Sequence, residues 1–204
     1  MEGHVSEPIR RSRVAGRPMM HLPLMGIISR QSGPTTLVYD TFTDTDATAL
    51  TDHTPDIDVV GGGWVFGLGS ATVQSNVAAT PAGDNYILID CGQSDFRMSI
   101  TVANSASRIL FRASDYNNLW LFYPADGTLY ERVGGGYTIR ATTSSPVSYP
   151  CIVSIVTNGT QIDCSFSTGG SLGYSSSTHQ TATMIGFGCW TNTTGFDDIE
   201  VTTL

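Results

Sequence analysis

The stretch that decides the fold runs from Arg108 to Thr142, RILFRASDYNNLWLFYPADGTLYERVGGGYTIRAT. Short runs rich in aliphatic, β-branched and aromatic residues alternate there with turn chemistry at Asp115–Asn118, Ala125–Gly127 and Gly134–Gly136. Gly, Asn and Asp serve such turns because they tolerate positive φ or bond their own backbone. The spacing predicts an antiparallel meander of Arg108–Ala113, Leu119–Tyr123, Thr128–Val133 and Tyr137–Thr142. Within it Leu129, Glu131 and Val133 alternate with Tyr130 and Arg132, the period of a strand with one covered face. Leu119–Tyr123 is apolar at successive positions and predicts a strand covered on both faces, and a two-layer sandwich contains both kinds.

The same signals continue outward in both directions. Upstream, strands are predicted at Leu37–Thr43, Trp64–Phe66, Thr72–Ser75, Tyr86–Cys91 and Phe96–Ala103. Downstream they are predicted at Cys151–Thr157, Gln161–Ser167, Thr183–Trp190 and Phe196–Thr203, with a type I′ hairpin turn at Asn158–Gly159. No window has the 3.6-residue apolar period of a helix. The expected fold class is all-β, a two-sheet antiparallel jelly-roll sandwich over residues 37–204, preceded by an extended N-terminal arm over residues 1–36. Only 14% of residues are charged, but the hydrophobic fraction of 40% is ordinary, so the low charge reflects turns and polar strands rather than disorder.

Charge divides the chain at the same place. Residues 1–36 carry five Arg against Glu2 and Glu7, a net +3, whereas residues 37–204 carry five Arg against sixteen acids, a net −11. The acidic part argues against a nucleic-acid-binding face, and the arm lacks the interleaved aromatics that stack bases. The arm holds four Pro and four Gly, so it orders only by docking, either back on its own domain or, the favoured reading, on neighbouring subunits through Arg10, Arg11, Arg13 and Arg17 and the apolar patch of Met19, Met20, Leu22 and Leu24. That patch ends at Ile28 and is broken by His21 and Pro23, too short to span a bilayer, so no membrane partner is expected. Arg10–Arg11 has the look of a twin-arginine signal, but Arg13 and Arg17 fall where such a signal turns apolar.

The four cysteines show no metal-ligand spacing and sit in apolar strands, where a buried free thiol is the expected state. Cys151 and Cys164 flank one predicted hairpin and form the single pair worth testing as a disulfide.

Several motifs carry a resemblance. Asp40-Thr-Phe42-Thr-Asp44-Thr-Asp46, Gly63–Trp64 and Val73-Gln-Ser-Asn76 resemble the opening of concanavalin A-like lectin/glucanase (laminin-G-like) jelly rolls. Phe111-Arg-Ala-Ser-Asp-Tyr-Asn-Asn-Leu-Trp120 and Gly127-Thr-Leu-Tyr130 are similar to their central hairpins. Gly186-Phe-Gly188 and Gly195-Phe-Asp-Asp-Ile-Glu-Val201 are similar to their closing strand, which returns beside the first. The resemblance covers residues 37–204. It implies a module of the kind found in structural proteins of tailed bacteriophages, and with the basic arm it implies a non-enzymatic virion component, a capsid decoration or tail protein. The arm would bind other virion subunits in a homo-oligomer or larger assembly, and the jelly roll would face outward toward a host surface glycan. The alternatives are a free carbohydrate-binding lectin and then a glycoside hydrolase.

Hydrolysis needs two carboxylates at a defined separation, which the glucanases supply as E-x-D-x-x-E. That pattern is absent, and Asp197, Asp198 and Glu200 read instead as acids facing solvent. The histidines at 53 and 179 sit in Thr-rich loops and read as surface or capping residues. Candidate glycan contacts are Asp115, Tyr116, Asn117, Asn118, Tyr130 and Tyr137, which lie near hairpin ends or alternate with apolar residues. Trp64, Trp120 and Trp190 could also stack on sugar rings but read as core. No cofactor is expected, with calcium at Asp44, Asp46 and Asp52 as the candidate ion because the acidic loop supplies hard oxygen ligands.

Overall fold

The structure is a computed structural model that describes Met1 and residues 33–143 and 148–204. Residues 33–204 form one compact unit. The anchoring assignments to Arg10, Arg11, Arg13, Arg17, Met19, Met20, Leu22 and Leu24 fall outside the described residues.

The described chain is all β. Its strands are β1 (Thr36–Asp40), β2 (Ile57–Asp58), β3 (Val65–Leu68), β4 (Thr72–Val73), β5 (Ala78–Thr80), β6 (Asn85–Asp90), β7 (Phe96–Val102) and β8 (Ser107–Asp115). They continue as β9 (Asn118–Tyr123), β10 (Thr128–Val133), β11 (Gly136–Thr142), β12 (Cys151–Asn158), β13 (Gln161–Phe166), β14 (Ser171–Ser175), β15 (Met184–Cys189) and β16 (Thr194–Thr202). One sheet of nine strands runs β14-β13-β12-β7-β16-β1-β2, with β5 and then β4 added beside β16. The other, of seven strands, runs β11-β10-β9-β8-β15-β6-β3. The closing strand β16 does lie antiparallel to the first, with Val38 opposite Val201. Among the described residues no helix is long and apolar enough to cross a membrane.

The nine-stranded sheet has one dry face. In β7, Phe96, Met98, Ile100 and Val102 are buried while Arg97 is exposed and Ser99 and Thr101 half-exposed. β12 repeats the pattern in register, Val153 opposite Ile100 and Ile155 opposite Met98. A period-two pattern of this kind allows only one register, because a slip of one residue would turn the whole apolar set to water. The inward set meets Ile87, Ile109, Phe111, Trp120, Phe122 and Phe187 of the other sheet in one continuous core.

The central strands of the seven-stranded sheet, β6, β8, β9 and β15, are buried on both faces, whereas its edge strands β11 and β3 are largely exposed. Its outer face carries a second apolar cluster of Tyr86, Leu88, Leu110, Ala113, Leu119 and Leu121. Among the described residues no third layer of strands covers it; half-buried Tyr116, Tyr123, Tyr130 and Met184 lie over it instead.

Several expected details change. The turn between β12 and β13 sits one residue later than Asn158–Gly159, with Asn158 opposite Gln161 and positive φ at Gly159 alone. The two-residue turn with positive φ at both positions, the type I′ requirement, is Gly134–Gly135 between β10 and β11. The expectation of free thiols holds for Cys151 and Cys164, which register keeps from bridging. Cys164 faces Ile155, four positions along β12 from Cys151, so the two lie about 13 Å apart, well beyond disulfide reach. All four cysteines are free and buried, and burial pushes the thiol pKa values of Cys91, Cys151 and Cys164 up.

Candidate functional site

The outer face of the seven-stranded sheet holds the chemistry. Gly186 and Gly188 of β15 lie between β8 and β6, Gly186 beside Leu110 and Leu88, Gly188 beside Arg108 and Tyr86. Because Gly188 has no side chain, Arg108 reaches across it to Tyr86, from two strands away. Its Nη1 donates to the Tyr86 hydroxyl at 2.8 Å and to Asp84 Oδ1 at 3.2 Å. The guanidinium stacks 4.1 Å from the ring of Trp190 and is itself buried.

A second arginine repeats the arrangement nearer the hairpin turns. Arg132 of β10 lies 4.7 Å from the Tyr137 ring, 4.8 Å from Tyr86 and 5.7 Å from Tyr116. The hydroxyls of Tyr86 and Tyr137 are hydrogen-bonded to each other, and Tyr130 meets Tyr137 edge to face at 6.1 Å. Burial, then the hydrogen bond to Tyr137, hold the Tyr86 hydroxyl far above the usual phenol range, so it stays protonated and donates or accepts as a neutral group. Burial likewise raises Tyr130. Between these groups lies a cleft walled by Arg108, Leu121, Tyr123, Tyr130, Tyr137 and Trp190.

The sequence candidates divide. Tyr130 and Tyr137 line this cleft, and Tyr116 joins the face through Tyr86 and Arg132. Tyr137 is exposed, and Tyr116 and Tyr130 are half-buried. Asp115 and Asn118 are used by their own turn. Asp115 accepts from the Asn118 side chain and the Asn117 N–H, which hold its carboxyl below the usual range. Asn117 Oδ1 faces Arg132 Nη2 at 3.4 Å.

Sequence patterns single out none of Tyr86, Arg108, Tyr123 or Arg132 as contacts, and they offer Trp190 as a sugar platform only to place it in the core. Trp190 corrects an assignment: β15 ends at Cys189, so the indole leaves the strand and is 49% exposed. Trp64 and Trp120 are core as expected, at 1% and 0%.

The acidic candidates lie elsewhere. Asp197, Asp198 and Glu200 belong to β16 of the nine-stranded sheet, where Asp198 and Glu200 are exposed and half-exposed Asp197 is raised by burial. Side chains on the outer face of the other sheet are separated from them by the thickness of a sandwich, about 10 Å between sheets.

In the acidic loop, Asp44 accepts from His53 and from Thr45 N–H, and Asp46 accepts from Ser75 N–H, so these carboxylates serve separate partners. Asp52 is exposed, and among the described residues no group of three His, Cys, Asp or Glu is placed to hold an ion.

His53 also corrects its surface assignment: it is buried, with Nε2 2.9 Å from Asp40 and Nδ1 3.1 Å from Asp44. Burial alone would lower its pKa, but the hydrogen bonds and charges of the two carboxylates outweigh burial and leave it raised. Asp40, fully buried, also accepts from Trp64 Nε1 and Phe42 N–H, both at 2.7 Å. The cluster pins the loop after β1 to the core.

Comparison with protein-family models finds no match, and comparison with curated proteins finds none either. Solved structures do match. The carbohydrate-binding module CBM66 from Bacillus subtilis aligns with a TM-score of 0.54 at 14% identity, over 67% of this chain and 92% of that one. The exoplasmic/lumenal domain of VIP36, in a Ca2+/Man-bound form, aligns at 0.50 and 11% identity, over 72% of this chain and 86% of that one. The GH43 protein BlXynB from Bacillus licheniformis aligns at 0.52 and 13% identity, over 81% of this chain but 39% of that one. At these identities the likeness is one of fold, a jelly-roll sandwich of the kind these structures share.

Proposed function

We propose that the domain binds carbohydrate on the outer face of its seven-stranded sheet and does not turn it over. The observation that carries this reading is the cleft in which Trp190 rests one ring face on Arg108 beside Tyr123, Tyr130 and Tyr137. Sugar rings present C–H groups on one face and hydroxyls at the rim, and aromatic platforms edged by fixed polar groups match both. The solved structures named for carbohydrate binding, or with a bound sugar, lend the fold as support but no residues. The non-catalytic part of the proposal rests on the cleft's walls, which carry no carboxylate.

Trp64 and Trp120 are sealed in the core, so ligand-induced changes in tryptophan fluorescence report on Trp190. Glycans selected on an array are expected to shift that emission on titration. Trp190→Ala is expected to abolish the signal and weaken binding about tenfold, roughly 1.4 kcal/mol, as measured by calorimetry. An array with no competable hit would refute the reading.

For the wider setting, the charge split supports the arm as an anchor. We propose that residues 1–36 dock on other subunits of a phage particle, capsid or tail, and that the sandwich is displayed from it. Deleting residues 1–36 is expected to abolish incorporation into particles. Normal incorporation of the shortened chain would sink that setting while leaving the sugar face untouched.

A further inference from the structure

The two arginines of the aromatic face are not equivalent. Arg108 is neutralised by Asp84, just as Arg112 and Arg140 elsewhere are paired with Asp95 and Glu131. Arg132 has no carboxylate within salt-bridge distance among the described residues. Its two hydrogen bonds go to neutral oxygens at long range, Nε to Gly135 O at 3.3 Å and Nη2 to Asn117 Oδ1 at 3.4 Å. Its Nη1 is buried with no hydrogen-bond partner. The nearby Asp115 is turned to its own hairpin. What surrounds the guanidinium is three tyrosine rings, whose faces attract a cation but offer no lone pair in its plane. In a domain with many more acids than bases, one partly buried cation on the aromatic face is thus left without an anion.

Tyr137 contacts Arg132 on one side and lines the cleft on the other. The guanidinium thus lies one aromatic ring beyond the cleft, and a sugar lying across Tyr137 would bring its rim substituents to it. A carboxylate matches the planar fork with two parallel hydrogen bonds, which a hydroxyl cannot do. We infer that the sugar bound here is an acidic one, a uronic acid residue whose carboxylate is received by Arg132. This inference rests on the sugar-binding reading and adds its ligand class.

The test uses the full-length chain and polysaccharides in matched pairs that differ only in free carboxylate: polygalacturonate with its methyl ester, and alginate with its propylene glycol ester, alongside neutral galactan, glucan and mannan. At least one acid form is expected to bind, with its ester about 10- to 100-fold weaker, the range of a charge-assisted bidentate contact. Arg132→Gln is expected to erase that preference, and Arg132→Lys to restore little of it, since an ammonium lacks the fork. Unchanged melting temperature and near-UV circular dichroism separate this from misfolding.

Binding confined to neutral glycans, or an acid preference that survives Arg132→Gln, overturns the inference and leaves the sugar face standing. No binding to any member overturns the sugar-binding reading itself.

Discussion

Gly188→Ala is expected to lower the melting temperature by about 6–12 °C, the consequence of roughly 3 kcal/mol lost from a domain of this size. A Cβ at position 188 would stand 1.9 Å from the carbonyl oxygen of Asn85, a backbone atom of β6 that cannot rotate aside. Gly186 meets the Ile87 carbonyl at the same distance. β15 lies between β8 and β6, so relief of either clash must shift paired strands. The variant is also expected to separate Arg108 from Tyr86 and so to weaken glycan binding beyond its effect on stability. A melting temperature within about 2 °C of the parent would show that the strands yield easily and that the close approach is not a constraint.

Arg112→Met is expected to cost about 2–4 kcal/mol, read from the urea midpoint. Arg112 stands at an irregularity in β8, between Phe111 and Asp115, with φ of 44° and its side chain fully buried. Nε donates to Ser94 O at 3.0 Å, and Nη2 donates to Asp95 Oδ1 at 2.8 Å and to Gly159 O at 2.6 Å. One side chain thus joins the seven-stranded sheet to the loop before β7 and to the β12–β13 hairpin. Burial draws its pKa down against the opposing pull of Asp95, but the guanidinium remains charged at any ordinary pH. Methionine would replace the stem and leave two carbonyls without their donor. The estimate stays below the largest costs of broken buried pairs because Nη1 already lacks a partner and Asp95 is part-exposed. A loss under about 1 kcal/mol would mean that water replaces the bonds and that the staple is dispensable.

The fold was legible wherever one face of a strand is wet. β7, β12 and the meander from β8 to β11 carry either clean alternation or unmistakable turns. What escaped lacks such a signature. β14, Ser171–Ser175, is Gly- and Ser-rich and exists through its register with β13. β2 and β5 have only two and three residues.

The site was half legible for the same reason. Tyr130, Tyr137 and Tyr116 stood out because they alternate or flank turns. Tyr86 and Arg108 lie in strands buried on both faces, NYILID and SRILFRASD, where periodicity cannot say which side chains share a surface. Trp190 was lost to a boundary one residue too long. The links from His53 to Asp40 and Asp44 span 13 and 9 positions and follow from tertiary packing, which no local pattern records.

The adjacency of β1 and β16 gives the domain a mechanical character. Thr203 N–H donates to Thr35 O at 2.9 Å, so the chain leaves the sandwich beside the point at which it enters. Tension between those two ends would peel β1 from β16 one hydrogen bond at a time. Tension applied along β1 instead loads the whole β1–β16 ladder in shear, so its hydrogen bonds must give way together. Strand order thus makes the domain's resistance depend on the direction of pull, independently of how tightly anything binds to it.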